Sequence, residues 1–504
     1  MVTRIRKRSA LVGAGVATVL AIGMAGCSAA TPTSDEGSEG GGTLRAAFAG
    51  GGASETLNYF VGPTSLDYVR ARLVHAPLCE IDPQAEDGVS YGALEDIDVS
   101  DDLTQYTLHV RPDVLFTDGS ALTAEDVLYS LRAPKLLQGL PFTQIVTRSF
   151  DLDAATATDE LTVTLPTLAP IADGRELICQ SMLALKDGTA EFTDATPSAG
   201  PFTIAAFEPG QSTVLDRNDD YYGETPSLES IELLSIGDAS ARVNALQQGQ
   251  VDYVSGLAPA QASTLEGAEG IELVSSELPF ASYLQFSMNP SFEPFADARV
   301  REAFKLAVDR EKIIDTVYDG RAFIGNDVPA LGFPNYDTEL AQREYDPEAA
   351  EALLAEAGRS GMAVVLTTGP ELPGMVETAT LIVEDLRAIG VDATLNEVPA
   401  GQLFADYPAY QALPFAAGYN PPALFEPNHT PGKLPAADAL VAEARSASTP
   451  EERLAASHAA QQLLWAEGFQ LAPVFVPSIS AQNDAVSGVR ELQFPDLSQA
   501  VIAQ

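Results

Sequence analysis

The sequence predicts an α/β fold built from more than one domain-sized unit, and three observations support this prediction. The chain has 504 residues, 46% of them apolar, which is enough for roughly three domain-sized units with cores of their own. Residues 281–310 combine an alternating strand with a helix that carries an apolar stripe, and residues 362–391 follow the order strand, helix, strand. The first stretch fits either a passage of the chain between two lobes or an ordinary connection inside one domain.

Charge and cysteine content exclude some classes of function. The formal net charge is −43, which argues against nucleic-acid binding because such proteins must neutralise phosphates. The acidic excess is typical of a solubilising surface, with a cationic ligand as the alternative. The three cysteines lie far apart and form no CxxC pair, so neither a zinc ribbon nor a redox motif is predicted.

The N-terminus has the pattern of an export signal. Four basic residues precede an apolar stretch, residues 10–25, that is shorter than the ~20 residues of a spanning helix, and a retained transmembrane anchor is the alternative. Met24-Ala25-Gly26-Cys27 resembles a bacterial lipobox, so we expect residues 1–26 to be a lipoprotein signal peptide and Cys27 to be lipidated. More than one acyl chain there would hold the exported protein at the outer face of the cytoplasmic membrane.

The chain after the signal begins with a tether and then a strand. Residues 27–42 are polar and glycine-rich, which predicts a flexible tether. Residues 43–50 follow as a strand, and the glycine-rich loop after it completes neither GxxxxGK nor GxGxxG, so no phosphate cradle is predicted. Further along, Asp118-Gly119 predicts a turn and Thr123 is the predicted N-cap of a helix.

Strands and helices alternate through the second half of the chain. The strand at 281–288 should place Tyr283 and Gln285 on the same face, because side chains alternate along a strand. Asp297 is the predicted N-cap of the helix that follows. A later amphipathic helix, residues 378–389, separates two further strands and predicts a second α/β unit.

Several motifs, in the same order along the chain, resemble one family. They are Arg111-Pro112 with Val114 and Phe116, Thr123-Ala124-Glu125-Asp126-Val127, Ser198-Ala199-Gly200-Pro201-Phe202, Arg217-Asn218 with Tyr221-Tyr222-Gly223, Gly249-Gln250-Val251-Asp252, and the run from Asn289 to Asp309-Arg310. On these motifs the chain resembles the extracytoplasmic solute-binding proteins of family 5, the peptide- and nickel-binding class that serves ABC importers. Ala199 stands where the family usually has threonine, and Tyr222 where it usually has tryptophan.

The resemblance implies an α/β fold of the bilobal, type II periplasmic-binding-protein kind, with an extra subdomain inserted in the first lobe. It places the first lobe at 43–58, 196–285 and 476–504, the inserted subdomain at 59–195 and the second lobe at 286–475. The stretch 281–310 would then be the crossover between the lobes. Cys79 and Cys179 both fall in the inserted subdomain, where an exported protein permits either a disulfide or two buried thiols.

The resemblance also implies a ligand cleft between two lobes that close by hinge bending. The expected lining residues are Glu55, Thr56 and Asn58 in the first loop, Tyr283 and Gln285 in the crossover strand, and Gly418, Tyr419 and Asn420 in a loop of the second lobe. Ordinary strand and loop packing is the alternative role for each. Peptide-binding members often carry an aspartate in that last loop, which pairs with the amino terminus of the peptide. Here no aspartate lies between Pro414 and Lys433, so either Glu426 replaces it or the ligand needs no amine anchor.

No cofactor, metal or catalytic residue is predicted. His429 lies near the expected cleft and raises nickel binding as an alternative, but the four histidines of the chain form no close pair. The motifs GxSxG, HExxH and SxxK are absent. A secreted glycosidase with two carboxylates and an envelope scaffold are the alternative functions.

We therefore expect an exported, lipid-anchored solute receptor rather than an enzyme. It would capture a small organic solute, which the resemblance suggests is peptide-like, and deliver it to the permease of an ABC importer. We expect a monomer that has no nucleic-acid partner.

Overall fold

The computed structural model describes residues 41–62, 64–82, 85, 88–139, 146–180, 182–399, 401–429, 432–492 and 494–503. The predicted signal peptide, the lipidation site Cys27 and most of the predicted tether lie outside these residues. In chain order the first strands and helices are β1 (Thr43–Phe48), α1 (Ser65–Val74), β2 (Cys79–Ile81), β3 (Val89–Tyr91), β4 (Leu94–Val99), β5 (Gln105–Val110), α2 (Ala124–Leu136), β6 (Thr156–Ala157), β7 (Thr162–Pro166) and α3 (Gly174–Cys179).

The remaining elements lie between residues 202 and 502. They are β8 (Phe202–Glu208), β9 (Ser212–Arg217), β10 (Ser230–Ser235), α4 (Ala239–Gln247), β11 (Tyr253–Val254), α5 (Pro259–Leu265), β12 (Ile271–Ser275), β13 (Ser282–Met288), α6 (Glu293–Ala296), α7 (Ala298–Leu306), α8 (Arg310–Val317), β14 (Phe323–Ile324), α9 (Pro347–Glu356), β15 (Ala363–Thr368), α10 (Met375–Ala388), β16 (Asp392–Glu397), α11 (Tyr407–Gln411), β17 (Phe415–Asn420), α12 (Phe425–Asn428), α13 (Pro435–Ser446), α14 (Pro450–Glu467), β18 (Gln470–Val476), β19 (Ile479–Asn483), β20 (Val486–Ser487) and β21 (Val501–Ile502).

Seven strands form the first sheet, in the order β12-β19-β11-β1-β10-β9-β8. β1 at its centre pairs in parallel with both β10 and β11, and the outer pairings are antiparallel. Side chains alternate between two cores along β1. Phe48 packs in a cluster with residues of α1 on one face, and Ala47 packs in a second cluster with residues of α4 and α5. Helices therefore cover both faces, as expected for an α/β layer.

The second sheet has six strands, in the order β14-β18-β13-β17-β15-β16. β15 pairs in parallel with β16 and β17, whereas β13 is antiparallel to both of its neighbours. Leu284, Phe286 and Met288 of β13 pack in one large core with α7 to α10, and Tyr283 packs in a separate cluster. This burial confirms the predicted alternation, and the Asp297 side chain caps α7 as predicted by accepting from the backbone N–H of Arg299 at 3.0 Å.

The chain passes between the two sheets twice, through connections that lie side by side. Residues 276–281 lead from β12 to β13, and Pro477 with Ser478 leads back from β18 to β19. The two connections are bonded to each other, because Ser276 donates its backbone N–H to the carbonyl of Ser478 at 3.0 Å and its hydroxyl accepts the N–H of Ser478 at 2.9 Å. The boundary predicted at residue 285 falls inside β13, whose neighbours both belong to the second sheet, so the first passage lies before this strand.

A third, four-stranded sheet, β4-β5-β7-β6, belongs to the inserted segment and has its own core with α2 and α3. Cys79 and Cys179 form a disulfide that links β2 to the end of α3. Thr123 caps α2 as predicted, by accepting from the N–H of Asp126 at 3.4 Å. Helix α1 lies inside the range predicted for the insert, 59–195, yet Leu66 and its neighbours on α1 pack in the core of the first sheet. The third sheet and its helices therefore occupy only the part of that range after α1.

The inserted segment contacts the second lobe through buried charge pairs. Asp173, whose carboxylate is fully buried, shares the single Nε–H of Arg445 on α13 between its two oxygens, each 3.1 Å from Nε. Glu176 on α3 pairs with Arg453 on α14 at 3.1 Å. A backbone hydrogen bond of 2.6 Å from Ala172 to the carbonyl of Arg445 joins the same surfaces. These polar contacts hold the insert against α13 and α14.

Candidate functional site

The loop after β1 is fixed by the side chain of Glu55, which is almost completely buried. One carboxylate oxygen accepts from the Ser235 hydroxyl at the end of β10, and the other accepts from the backbone N–H of Gly210 at 3.3 Å and lies 3.5 Å from Nη2 of Arg70. A side chain at Gly50 would overlap the Ser235 hydroxyl, so the loop requires glycine at that position. Glu55 thus ties the loop to β10, to the β8–β9 turn and to α1.

Thr56 and Asn58 shape the same loop. The Thr56 hydroxyl accepts from the N–H of Asn58 at 3.1 Å, and the Asn58 side chain accepts from the N–H of Phe60 at 3.1 Å. Arg70 donates to the Thr56 carbonyl at 3.0 Å. Both predicted side chains are half-buried, and their hydrogen bonds to neighbouring N–H groups fold the loop back on itself.

Two cavities lie beside this loop in the first lobe. The larger, about 330 Å³, is lined by Glu55, Thr56, Leu57, Phe192, Thr193, Asp194 and Phe207. The smaller, about 260 Å³, shares Leu57, Phe192, Thr193 and Asp194 and adds residues that include Arg70 and His75. The shared lining makes the cavities neighbours. Sequence reasoning missed all of these residues except Glu55 and Thr56, because the segment around Phe192 carries no motif.

The residues predicted in the crossover strand and in the second-lobe loop meet on two neighbouring strands. The prediction of a loop at Gly418, Tyr419 and Asn420 is wrong, because these residues form the end of β17 and pair with β13. Register places Tyr283 opposite Asn420, Leu284 opposite Tyr419 and Gln285 opposite Gly418. Tyr283 is buried, which raises the pKa of its phenol well above the usual value, and its hydroxyl donates to the Gln470 side chain at 3.4 Å. The structure therefore places all five predicted residues on this strand pair, with Tyr283, Gln285, Gly418 and Asn420 on one face and Tyr419 on the opposite face.

The polar side chains on this strand pair differ in burial and in whether they have hydrogen-bond partners. The side-chain oxygen of Gln285 is buried without a hydrogen-bond partner among the described residues. Tyr419, at the end of β17, is 38% exposed, and its ring lies 6.0 Å from that of Phe404. A Cβ at Gly418 would lie 2.5 Å from the Tyr410 hydroxyl oxygen, so no larger residue fits there without a shift of Tyr410.

Glu426, the carboxylate that the sequence analysis considered as an amine anchor, is hydrogen-bonded to other residues of the protein. It is 3% exposed and accepts from the side chains of Asn335 at 2.6 Å and Ser457 at 3.0 Å. Nε of Arg453 lies 3.7 Å from the same carboxylate. These contacts make Glu426 part of the packing between α12 and α14, and it is not available to a ligand.

The two groups of predicted residues lie at equivalent edges of their sheets. The loop of Glu55 follows the carboxyl end of β1, and Asn420 is the carboxyl end of β17, each within the parallel part of its sheet. Ligands of open α/β sheets bind outside the carboxyl ends of parallel strands. In the described part of the chain no hydrogen bond links the two groups, and each is a candidate half-site at the ligand edge of its own sheet.

Metal ligation and membrane crossing find no support in the described ranges. His429 bonds to Asp438 with 2.6 Å between Nε2 and Oδ1, and no group of three His, Cys, Asp or Glu is placed to hold a metal ion there. No helix within those ranges is both long and apolar enough to cross a bilayer.

Comparisons with known proteins identify relatives along most of the chain. Residues 88–434 match the model of the bacterial extracellular solute-binding proteins, family 5. The dipeptide-binding protein of Escherichia coli K12 is 27% identical, in an alignment that covers 60% of this chain and 62% of that protein. The glutathione-binding protein GsiB of Shigella flexneri is 25% identical over 95% of this chain and 96% of its own length.

Solved structures show the same fold. The periplasmic binding protein DppA of Helicobacter pylori, in complex with the peptide STSA, superposes with a TM-score of 0.77 at 18% identity and covers 93% of this chain and 99% of its own. The fold is thus the bilobal type II periplasmic-binding-protein fold with an inserted subdomain, as the sequence predicted. These relatives are named for the solutes that they bind rather than for a reaction, and the prediction that the chain is not an enzyme is confirmed.

Proposed function

Because this chain belongs to the bacterial extracellular solute-binding proteins of family 5, we propose that it is the lipid-anchored receptor of an ABC importer for a peptide or peptide-like solute. The solute lies between the candidate half-sites of the two lobes. Cys27 carries the lipid, and the permease docks on the outer faces of the lobes. The protein works as a monomer on the outer face of the cytoplasmic membrane.

The pair of adjacent connections between the two sheets is the observation that carries this proposal. Residues 276–281 and 477–478 are hydrogen-bonded to each other, and each is short. Two short connections that lie side by side permit one lobe to rotate against the other with little change inside either sheet, which is the geometry of hinge closure. A solute favours the closed arrangement only by the contacts that it makes in addition to those of the open one.

The half-sites supply polar and aromatic groups suited to a peptide-like solute. Gln285 presents a buried acceptor that has no hydrogen-bond partner among the described residues. Tyr419 presents a partly exposed ring at the end of β17, on the opposite face of the strand pair. In the first lobe the larger cavity opens beside Thr56. A peptide offers backbone N–H donors and apolar side chains to such groups.

The test is a thermal-melt screen of the purified full-length chain with dipeptides, tripeptides, glutathione and sugars. A solute that binds only the folded protein stabilises it by about 2.7 kcal/mol at one hundred times its Kd. We expect saturable stabilisation by at least one peptide-like compound and no turnover of it. Stabilisation by sugars alone would overturn the solute class, and turnover of the bound compound would overturn the receptor function.

A further inference from the structure

The inserted segment is attached to the first lobe at both of its ends. The chain enters it after α1 and leaves it before β8, and the two ends are joined by a hydrogen bond of 2.8 Å from the N–H of Gly200 to the carbonyl of Val74. Glu80 on β2 forms ion pairs with Arg72 on α1 and, at 3.3 Å, with Arg490 near the end of the chain. These contacts fix the insert to the first lobe, so the two move as one body.

The same segment also contacts the second lobe, at the tip where α13 ends and α14 begins. Arg445 lies in the last turn of α13 and Arg453 near the start of α14. Their partners in the insert are Asp173 and Glu176, at 3.1 Å in each pair. The side chain of Asp173 is inaccessible to solvent and that of Glu176 is 14% exposed, which places both charges inside the contact and strengthens their ion pairs. We call these four residues the clasp.

The insert is attached to the first sheet at the edge opposite the two connections between the lobes. β12 and β19, which carry these connections, come first in the order of the sheet, and β8, which follows the insert, comes last. Helix α1, which precedes the insert, packs against β8 and β10. Five strand spacings of about 4.8 Å separate β19 from β8, so the insert is attached about 25 Å from the connections.

This distance makes the clasp sensitive to rotation of the lobes. A rotation of about 10° about the connections moves a point 25 Å away by about 4 Å, which is more than a hydrogen bond tolerates. Phe192 of the insert lines the cavity beside Glu55, so the insert reaches the second lobe on the ligand side of the first sheet. The clasp is therefore formed when the lobes are closed and separates when they open.

A second contact between the lobes lies beside the connections. Arg321 donates from Nη2 to the carboxylate of Glu266 at 2.9 Å. Glu266 directly follows α5, whose Leu265 packs in one cluster with Ile479 of β19, and Arg321 lies just before β14, which pairs with β18. Because this pair is close to the axis of rotation, opening changes its distance little, and it serves as a matched control for the clasp.

We propose that the clasp stabilises the closed arrangement in the free chain, so that part of the population is already closed before a solute binds. The insert then has a role of its own, because it joins the first lobe to the tip of α13 and α14 across the ligand side of the molecule. A solute adds its contacts to those of the clasp and completes the shift to the closed arrangement. The inference concerns the free chain, so its failure would leave the proposed function standing.

Small-angle X-ray scattering of the full-length chain, dialysed to remove any bound compound, tests the proposal without a solute. A compact chain of this length has a radius of gyration of about 23 Å. We expect Arg445→Ala to raise this radius by up to about 1 Å, and Glu176→Gln, which removes a charge but keeps the shape of the side chain, to raise it in the same direction. Arg445→Lys, which keeps a charged partner for Asp173, should fall between wild type and Arg445→Ala. Arg321→Ala should match wild type.

Far-UV circular dichroism of each variant distinguishes opening of the lobes from unfolding. A larger radius with an unchanged spectrum, in the clasp variants and not in Arg321→Ala, supports the proposal. An unchanged radius in both clasp variants, or an equal rise in Arg321→Ala, overturns it. If Arg445→Ala loses secondary structure, Glu176→Gln decides, and a radius equal to that of wild type in this variant overturns the proposal.

Discussion

Replacement of Arg445 by alanine is expected to lower the free energy of unfolding by about 2 kcal/mol. This residue donates its single Nε–H to both oxygens of the fully buried Asp173 carboxylate, at 3.1 Å each, and its Nη2 donates to the Ser149 hydroxyl at 3.0 Å. Loss of one member of a buried charge pair costs about 2–5 kcal/mol, because the other charge stays buried without its partner. The side chain of Arg445 is 29% exposed, and screening by solvent places the loss at the lower end of that range.

Urea unfolding of the full-length chain measures this loss, and a double-mutant cycle isolates the pair. Asp173→Ala and the double variant complete the cycle, and we expect the double variant to lose clearly less than the sum of the two single losses. Arg359→Ala is the matched control, because Arg359 pairs with the exposed Glu293 on the surface, and its loss should be below about 0.5 kcal/mol. Additive losses, or a loss for Arg445→Ala no greater than that of the control, would refute the buried contact between insert and second lobe.

Three further predictions follow from single contacts. Gly418→Ala should weaken solute binding or stability by about 1–3 kcal/mol, because the added Cβ meets the Tyr410 hydroxyl. The second substitution Tyr410→Phe should restore most of this loss. Thermal melts and binding titrations measure it, and a double variant that shows no rescue would contradict the prediction. Burial raises the pKa of Glu491 to about 7, so its contribution to stability is complete below about pH 4.5 and is lost as pH rises through 7, and Glu491→Gln should flatten that part of the pH–melt profile; an unchanged profile would count against it. Replacement of Cys79 and Cys179 by serine opens a link between residues 100 apart and should cost about 2–5 kcal/mol in denaturant, whereas an equal stability of the variant and wild type would show that the link is not formed.

Local chemistry made much of the fold predictable. Thr123 and Asp297 cap the helices that the sequence assigned to them, since a cap depends only on the residue and its next turn. The alternation of Leu284 and Phe286 with Tyr283 also appears as predicted in the two clusters of the second lobe. The passage between lobes could not be located in the same way, because alternation shows which face a side chain takes but not which sheet the strand joins.

Only part of the candidate site could be predicted from the sequence. The crossover strand was predicted from its alternation, but the segment of Gly418, Tyr419 and Asn420 was predicted as a loop, and only the folded chain shows it as the strand β17 paired with β13. Glu55 was predicted to contact ligand, and that role stays a prediction; its oxygens are held by Ser235 and Gly210, contacts between distant segments that no local pattern reveals. Asp194 and His75 were missed for the same reason, because only the folded chain brings them to one wall.

The central claim is that a solute closes two lobes about the connections at 276–281 and 477–478. Small-angle X-ray scattering of the full-length chain, with and without a saturating amount of the compound that the melt identifies, tests it most directly. The account predicts a smaller radius of gyration in the bound state, because hinge closure brings the lobes together. Identical scattering curves for free and fully bound protein would contradict it.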